Sequence, residues 1–349
     1  MGLTSAARVR RTLSGEEPDR VPWFLLVTLH GARELGLSIR EYFSKPEHVV
    51  EGQLRMRARY RHDCLYGFFF AALEAQAFGS DVLWFDDGPP NAGRPVASSH
   101  EQILGLAPPR VADHRGLCDV LVALEGMKRA AAGEVPVIGV IMSPFSLPIM
   151  QLGFERYLDV LLEHREAFLH LMRVNEEFCV EWGNAQLAAG ADVLVYFDPV
   201  ASSTITPRAL YVETGFEVAR RTLARLKGPV ATHFASGRCL GVLDDVLKTG
   251  TPAIGVGSLE DLAAVKAACA GRATVVGNLN GIEMRHWSDA EAEAAVRAAI
   301  AQGAPGGRFV LSDQHGEIPF QVPERVLMAV SDAVHRFGRY PIEQSPPSP

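Results

Sequence analysis

The sequence predicts an α/β protein built as a (β/α)8 TIM barrel, and two patterns in the chain support that prediction. Eight short apolar segments recur along the 349 residues. Their nearly continuous hydrophobicity is typical of parallel strands that are covered on both faces. Helical patterns separate these segments, and such regular alternation of strand and helix favours a parallel sheet. Because the strands number eight, a closed barrel is favoured over an open sheet.

The eight segments are rich in the β-branched and aromatic residues that buried strands prefer. In chain order they are VPWFLLV at 21–27, CLYGFFF at 64–70, PVIGVIM at 136–142, DVLVYFD at 192–198, PVATHFA at 229–235, AIGVG at 253–257, TVVGNLN at 274–280 and RFVLSD at 308–313. Among the helical patterns, the one at 288–303 has the clearest ends, since Ser288 is a predicted N-cap and Gly303 a predicted stop. An open doubly wound sheet is the alternative, but the chain has neither a GxGxxG after its first strand nor a GxxxxGK[ST] loop.

The predicted barrel forms one domain over residues 1–349, with its strands and helices at roughly 20–340. A short Arg-rich helical segment precedes it. A long connection at 86–112 is expected to cross the mouth of the barrel, and the Pro-rich end YPIEQSPPSP is predicted to be a frayed tail.

Composition excludes several classes of function. The net charge is −7, which argues against nucleic-acid binding because phosphate recognition needs clustered Lys and Arg. No apolar run is long enough to cross a bilayer and no signal-peptide core opens the chain, so we expect a cytoplasmic protein without a membrane attachment. Five cysteines without a CxxC pair indicate reduced thiols rather than a disulfide framework or a zinc ribbon.

Polar side chains gather where the predicted strands end, and these ends are where TIM barrels place their catalytic residues. One such histidine or aspartate is commonly structural, but several converging on one rim indicate a catalytic mouth. The residues expected to line it are His30, Glu74, Asp198, His233, Asn278 and His315. The aromatic run at 67–72 is expected to line the barrel interior, with substrate stacking as the alternative. From this set, the predicted catalytic residues are His233, His315 and Asp198, and the predicted substrate-binding residues are His30, Glu74, Phe70 and Asn278.

Several sequence blocks follow one another in an order that is typical of one superfamily. They are LSGEEPDRVPW, EAQAFGSDVLWFDDGPP, GADVLVYFDPVASS, KGPVATHFASG, VVGNLNGIE and FVLSDQHGEIPFQVPERV, and they cover nearly the whole chain. In these blocks the chain resembles the uroporphyrinogen decarboxylase superfamily, and more closely its corrinoid-linked methyltransferases of the methylcobamide:coenzyme M and chloromethane type. The resemblance implies a (β/α)8 barrel, in agreement with the strand count.

Two departures from the family pattern limit what the resemblance implies. Decarboxylases of the superfamily hold substrate carboxylates with an Arg-bearing RQAGR segment and anchor the pyrrole NH groups with an Asp in an FSD motif. This chain reads LLVTLHGAR and FFFAAL there, with Phe70 in place of that Asp, so porphyrin decarboxylation is disfavoured. The coenzyme M methyltransferases bind zinc through His-x-Cys on the fifth strand and a Cys after the eighth. Here these positions hold His233, Ala235 and His315, so the two-thiolate zinc site is absent.

The resemblance therefore implies an enzyme that moves a methyl group between a small substrate and a corrinoid (cobalamin). The corrinoid would be free or carried by a partner corrinoid protein, because the chain has no DxHxxG loop of its own. His233 and His315 would act either as an acid–base pair or as ligands to a divalent metal such as zinc, completed by Asp198, Glu317 or Cys239. The alternatives are a decarboxylase or lyase acting on a non-porphyrin substrate, and a non-catalytic relative. The sequence identifies neither the methyl donor and acceptor nor the oligomeric state, and a homo-oligomer stays open.

Overall fold

The computed structural model describes residues 2–342, and its framework is a parallel sheet surrounded by helices. The strands assigned in that range are β1 Leu65–Tyr66, β2 Val82–Leu83, β3 Asn91–Ala92, β4 Val137–Met142, β5 Val193–Phe197, β6 Val230–His233, β7 Ala253–Gly255, β8 Thr274–Leu279 and β9 Phe309–Asp313. Seven of them form one sheet in the order β1-β4-β5-β6-β7-β8-β9, and every pair in it is parallel. The remaining two, β2 and β3, pair with each other in antiparallel fashion. The predicted α/β class and parallel sheet are confirmed.

Helices follow most of the strands, as the alternation predicts. They are α1 Ser5–Ser14, α2 His30–Leu35, α3 Ile39–Tyr42, α4 Pro46–Tyr60, α5 Ala72–Ala77, α6 His100–Leu104, α7 Arg115–Ala131, α8 Pro148–Leu152, α9 Phe154–Glu163, α10 Arg165–Ala188, α11 Arg208–Glu213, α12 Gly215–Arg225, α13 Leu243–Leu247, α14 Leu262–Cys269, α15 Asp289–Gly303 and α16 Glu324–Phe337. Helix α15 has the predicted ends, with a capping box between Ser288 and Glu291 that satisfies the first free N–H groups. Within residues 2–342, no helix combines the length and apolarity needed to cross a membrane.

The first predicted strand, at 21–27, is not assigned as a strand, yet it lies where a barrel needs one. Trp23 bridges Leu311 of β9 in parallel, and the Phe24 N–H donates to the Leu311 carbonyl at 2.9 Å. On its other side, the Asp63 N–H just before β1 donates to the Trp23 carbonyl at 2.7 Å. The segment thus connects the two edge strands of the sheet, as expected for a TIM-barrel-like fold.

One other segment differs from its prediction. The strand predicted at 64–70 ends at Tyr66, because the chain turns out of the sheet after Gly67 and into α5. The long connection predicted at 86–112 contains β3 and α6. From residue 343 onward, the predicted Pro-rich tail lies outside the described residues.

Side chains alternate along the strands between the barrel interior and the surrounding helices. On β5, Val193 and Val195 line a small apolar cavity of about 50 Å³ inside the barrel, and on β6 Ala231 and His233 line the same cavity. The residue that follows Phe197, Asp198, contacts the loop after β4 instead. This alternation decides which strand-end residues reach a ligand.

The N-terminal ends of the strands are closed by a buried ion cluster around Asp63. Its carboxylate accepts hydrogen bonds from Ser5 Oγ at 2.8 Å, Arg8 Nη1 at 2.7 Å and Arg20 Nη1 at 2.6 Å. The Trp23 N–H donates to it as well, at 2.9 Å. These contacts join α1 to the start of the sheet, on the side of the barrel opposite the strand ends where a site is expected.

Candidate functional site

A cavity of about 390 Å³ lies at the C-terminal ends of the strands. We call it the mouth cavity; it is lined by Leu29, Phe68, Ala71, Pro89, Met142, Met150, Phe197, Pro199, Ala235, Ile282, His315, Gly316, Glu317, Ile318, Pro319, Phe320 and Gln321. Its volume falls within the roughly 300–1,000 Å³ that is usual for small-molecule sites. The polar side chains in this lining are His315, Glu317 and Gln321, and none of the lining residues is a lysine or arginine. The mouth cavity therefore suits a small ligand with a largely apolar body.

His315 is held in the mouth cavity through its backbone and through its imidazole. Oδ2 of Asp313, at the end of β9, accepts the backbone N–H groups of His315 and Gly316 at 2.8 and 2.9 Å. The Ser236 hydroxyl lies 2.8 Å from His315 Nε2. Burial lowers the pKa of His315, so the ring is neutral at pH 7 and can accept or pass on a proton.

Glycine is required beside this histidine because the backbone of Gly316 has a φ of +77°. A Cβ at this position would also lie 2.1 Å from the Phe197 ring, which lines the same cavity. Only a residue without a side chain allows the loop to pass so closely over the end of β5.

Glu317 supplies an acid of near-neutral strength. Burial raises its pKa to about 7, the neighbouring Asp313 adds to that shift, and a hydrogen bond from the Thr28 hydroxyl opposes it. A carboxyl group with this pKa carries its proton for a substantial fraction of the time at pH 7, so it can act as a general acid. The sequence predicts Glu317 only as a metal ligand and does not point to Thr28 or Ser236. The signal available for Glu317 was its place two residues after His315 in the loop that follows the eighth strand.

His233 is fully enclosed next to the mouth cavity, on the side of the barrel interior. Its Nδ1 accepts the Ala235 N–H at 2.9 Å, while Nε2 has no hydrogen-bond partner in the described chain. The ring packs 4.8 Å from that of Phe197 and lies over Gly255, where a Cβ would come within 2.1 Å of the imidazole. Burial, and to a smaller extent His315, lowers the pKa of His233 to about 3. His233 is therefore a neutral imidazole with one free nitrogen.

The two predicted carboxylates face away from the mouth cavity. Asp198 Oδ1 accepts the hydroxyls of Ser143 and Ser146 at 2.6 and 2.7 Å, and burial raises its pKa to about 6 against these bonds. Glu74 Oε1 accepts the Met142 N–H at 3.0 Å and Trp182 Nε1 at 3.2 Å. Burial raises the pKa of Glu74 to about 8. Both groups fix the loops and helices behind the cavity wall.

The other predicted substrate-binding residues also lie behind the wall. His30 packs against the ring of Phe320, with centroids 5.7 Å apart, and burial and Arg33 lower its pKa to about 3. Asn278 donates to the carbonyls of Gly257 and Glu260 at 3.2 and 3.3 Å. Phe70 packs against two other aromatic rings, Phe43 and Trp84. Of the predicted site residues only His315 lines the mouth cavity, and the roles of the others stay predictions.

A metal bound by His233 and His315 would need a third ligand. Within residues 2–342, one group of three His, Cys, Asp or Glu side chains has its ligand atoms within 4.8 Å of one another. This group is His100, Asp159 and His164, and it lies outside the mouth cavity. Since His233 Nδ1 is already engaged and no carboxylate completes the set, the donors at the mouth do not fit a three-ligand zinc site.

Comparison with known proteins gives the family. The uroporphyrinogen decarboxylase (URO-D) family model matches residues 4–337. Relatives named uroporphyrinogen decarboxylase include that of Thioalkalivibrio sulfidiphilus, 27% identical over 95% of this chain and 97% of the relative, and that of Ralstonia nicotianae, 28% identical over 84% of each. Among solved structures, a methyltransferase from Methanosarcina mazei has a TM-score of 0.85 at 19% identity and covers 96% of this chain and 99% of its own.

A more distant likeness is to a B12-independent methionine synthase from Shewanella sp. W3-18-1, with a TM-score of 0.56 at 12% identity over 85% of this chain and 89% of the other. These structural likenesses concern the fold. The family match spans nearly the whole chain. The chain is a member of the uroporphyrinogen decarboxylase family.

Proposed function

We propose that this protein transfers a methyl group between a small, largely apolar substrate and a corrinoid. The observation that carries the proposal is the lining of the mouth cavity, which combines apolar walls with the acid Glu317 and the neutral imidazole of His315. Apolar walls exclude water, and exclusion of water strengthens the few polar interactions that remain inside.

The same lining argues against uroporphyrinogen as the substrate, although relatives at 26–28% identity carry that enzyme's name. A tetrapyrrole with many carboxylates needs cationic side chains to bind them, and arginine is the usual choice. The mouth cavity offers no arginine or lysine, and its own carboxyl group would repel an anionic substrate. We therefore expect no decarboxylation of uroporphyrinogen.

The proposed chemistry is an in-line displacement. The bond between the methyl carbon and its heteroatom breaks, the electron pair stays on the heteroatom, and the methyl group passes to the acceptor. A cobalt(I) corrinoid, binding as the second substrate, supplies the nucleophile. Glu317 gives its proton to the leaving heteroatom, and the hydrogen bond from Ser236 fixes the orientation of His315 beside it.

The rim of the mouth cavity is compatible with this second substrate. Ile282, which is 40% exposed, and Pro89 form apolar points on the edge of the cavity. Such a rim can contact the apolar edge of a large planar ring that is too big for the cavity itself. The corrinoid would be free or carried by a partner protein.

The experiment that tests the proposal follows methyl exchange in solution. Methylcobalamin and the purified full-length protein are mixed with a panel of small thiols, phenols and amines, and the loss of methylcobalamin absorbance is recorded. We expect turnover with at least one apolar acceptor. Replacement His315→Gln should slow it about tenfold or more. The control His48→Gln, at a histidine that contacts the Glu41 carbonyl away from the cavity, should leave the rate unchanged. Decarboxylation of uroporphyrinogen without any methyl exchange would contradict the proposal.

A further inference from the structure

A second cluster of metal-ligating side chains lies outside the mouth cavity. We propose that His100, Asp159 and His164, called the surface triad below, bind a divalent transition metal ion such as Zn²⁺. The Nε2 atoms of both histidines lie 3.4 Å from Asp159 Oδ2, and one ligand atom from each residue falls within 4.8 Å of the others. The proposal does not depend on the reaction at the mouth cavity.

The distances favour metal ligands over a hydrogen-bonded group. A good N–H···O bond is about 2.9 Å long, so two contacts of 3.4 Å to one carboxylate oxygen are poor hydrogen bonds. Zinc binds nitrogen and oxygen at about 2.0–2.2 Å, and the edge of a tetrahedron with such bonds measures about 3.4 Å. The contacts to Asp159 therefore have the separation expected of two ligands sharing one ion.

The donor set selects the kind of ion. Two imidazoles and one carboxylate suit zinc, nickel or copper, whereas calcium and magnesium prefer oxygen ligands alone. Three protein ligands leave one position of a tetrahedral ion for water or another small ligand. The imidazole rings have centroids 3.5 Å apart and planes tilted by 36°, so they must rotate apart to point at one ion. Side chains that are 40% and 38% exposed can do so freely.

The charges around the surface triad also favour a cation. Glu101 and Glu155 line the same surface depression as His100 and Asp159. The single arginine there, Arg156, directs its guanidinium to the carbonyl of Ser98. The depression thus contains three carboxylates, those of Glu101, Glu155 and Asp159, and one guanidinium. It therefore carries net negative charge when the imidazoles are neutral.

A bound ion would join parts of the chain that are far apart in sequence. His100 begins α6 in the connection at 86–112, Asp159 lies in α9, and His164 stands between α9 and α10. The same connection carries Pro89 into the lining of the mouth cavity. An ion at the surface triad would hold this connection against the helices, so metal binding should stabilise the fold.

The test uses the full-length protein after treatment with a chelator and its removal. Co²⁺ is titrated while its visible absorption is recorded, and Zn²⁺ is then added to displace it. We expect one bound ion per chain and a melting temperature that rises with added Zn²⁺. His100→Gln, His164→Gln and Asp159→Asn should each weaken binding about tenfold or more, since loss even of groups behind metal ligands costs 10- to 100-fold.

Two matched variants separate this site from other histidines. His48→Gln controls for nonspecific binding to a histidine near the surface, and His315→Gln tests whether the ion sits at the mouth cavity instead. Both should bind Co²⁺ as tightly as the unmodified protein. The proposal is overturned if the double variant His100→Gln/His164→Gln binds as tightly as the unmodified protein, or if His315→Gln abolishes binding. Circular dichroism checks that each variant is folded, which the partial exposure of the triad leads us to expect.

Discussion

The two ends of the barrel bury carboxyl groups in opposite electrostatic states. At the N-terminal ends of the strands, burial alone would raise the pKa of Asp63, but ion pairs with Arg20 and Arg8 hold it below its usual value. At the C-terminal ends, burial raises the pKa of both Asp313 and Glu317 to about 7. Burial thus favours the protonated carboxyl group at both ends of the barrel. The hydrogen-bond partners of each carboxyl group decide whether its pKa lies below or above the usual value.

The partners differ in number and in charge. Asp63 accepts five hydrogen bonds, three of them from guanidinium groups. Asp313 receives only neutral backbone N–H groups, and Glu317 receives one hydroxyl. Cationic donors lock a buried carboxylate in its ionised form, whereas neutral donors leave it to titrate near neutral pH. The cationic donors around Asp63 stabilise the fold. The neutral donors around Asp313 and Glu317 leave carboxyl groups that can exchange protons, at the end of the barrel where TIM barrels carry their active sites.

The largest expected effect comes from breaking the N-terminal ion cluster. Asp63→Ala should lower the free energy of unfolding by about 3–5 kcal/mol, because Arg20 would lose its counter-charge and Arg8 would keep only Asp19 as a partner. Urea denaturation at pH 7 measures it. As a control, Glu16→Ala removes an exposed pair with Arg11 and should cost less than about 1 kcal/mol.

Acid titration sharpens the same test. Because the folded pKa of Asp63 is lowered, its stabilisation is present above the unfolded value of about 3.9 and is lost as pH falls through the folded pKa. Asp63→Ala should remove this part of the acid sensitivity. A loss of stability no greater than that of Glu16→Ala would show that the ion cluster does not hold this end together.

The next effect concerns the mouth cavity. Glu317→Gln should slow methyl transfer about 100-fold or more, equivalent to about 2.7 kcal/mol in the barrier, because the leaving heteroatom loses its proton donor. In the unmodified enzyme, kcat/KM for transfer of the methyl group from the substrate heteroatom to a cobalt(I) corrinoid should fall as pH rises through about 7, where Glu317 loses its proton. The variant should lack this step, while Glu47→Gln on α4 should keep it. A rate that instead increases through pH 7 would mean that Glu317 acts as a base.

Much of the framework was predictable because its signals are local. Continuous apolar runs marked six of the sheet's strands closely, and the capping pattern at Ser288 marked the start of α15. The position of the cavity also followed from the rule that TIM barrels bind ligands at the C-terminal ends of their strands. Two segments were exceptions: 21–27 forms only one bridge to the sheet, and the strand predicted at 64–70 is limited to Leu65–Tyr66.

The orientation of the site residues was not predictable in the same way. The alternation of side chains along a strand predicts that Phe197 and Asp198 point to opposite faces of the sheet. It does not predict which of the two points into the mouth cavity. The structure places Phe197 in the lining and Asp198 against Ser143 and Ser146. The raised pKa of Glu317 was likewise not predictable, because it depends on burial by segments that are remote in sequence. One of these segments carries Thr28, which is 289 residues from Glu317.

A smaller effect is expected behind the cavity wall, at Glu74. Its folded pKa is raised to about 8, so its contribution to stability is full below the unfolded pKa of about 4.3 and is lost as pH rises through about 8. Glu74→Gln removes this dependence but leaves a buried NH₂ group unpaired, at a cost of about 1–3 kcal/mol. We therefore expect the stability of the variant, relative to that of the unmodified protein, to increase steadily between pH 5 and pH 8. Thermal unfolding across this range measures the difference, and parallel curves for the two proteins would refute it.

The smallest effect is expected from His233→Ala on metal content. The sequence pairs His233 with His315 as metal ligands, yet His233 Nδ1 accepts the Ala235 N–H and no third ligand completes the pair in residues 2–342. For protein purified without chelators, the zinc content should therefore be the same with and without His233, as measured by atomic emission. His100→Gln is the matched comparison, because it removes a ligand of the surface triad and should lower the zinc content. Zinc that is lost in His233→Ala and retained in His100→Gln would contradict both this expectation and the surface triad as the metal site.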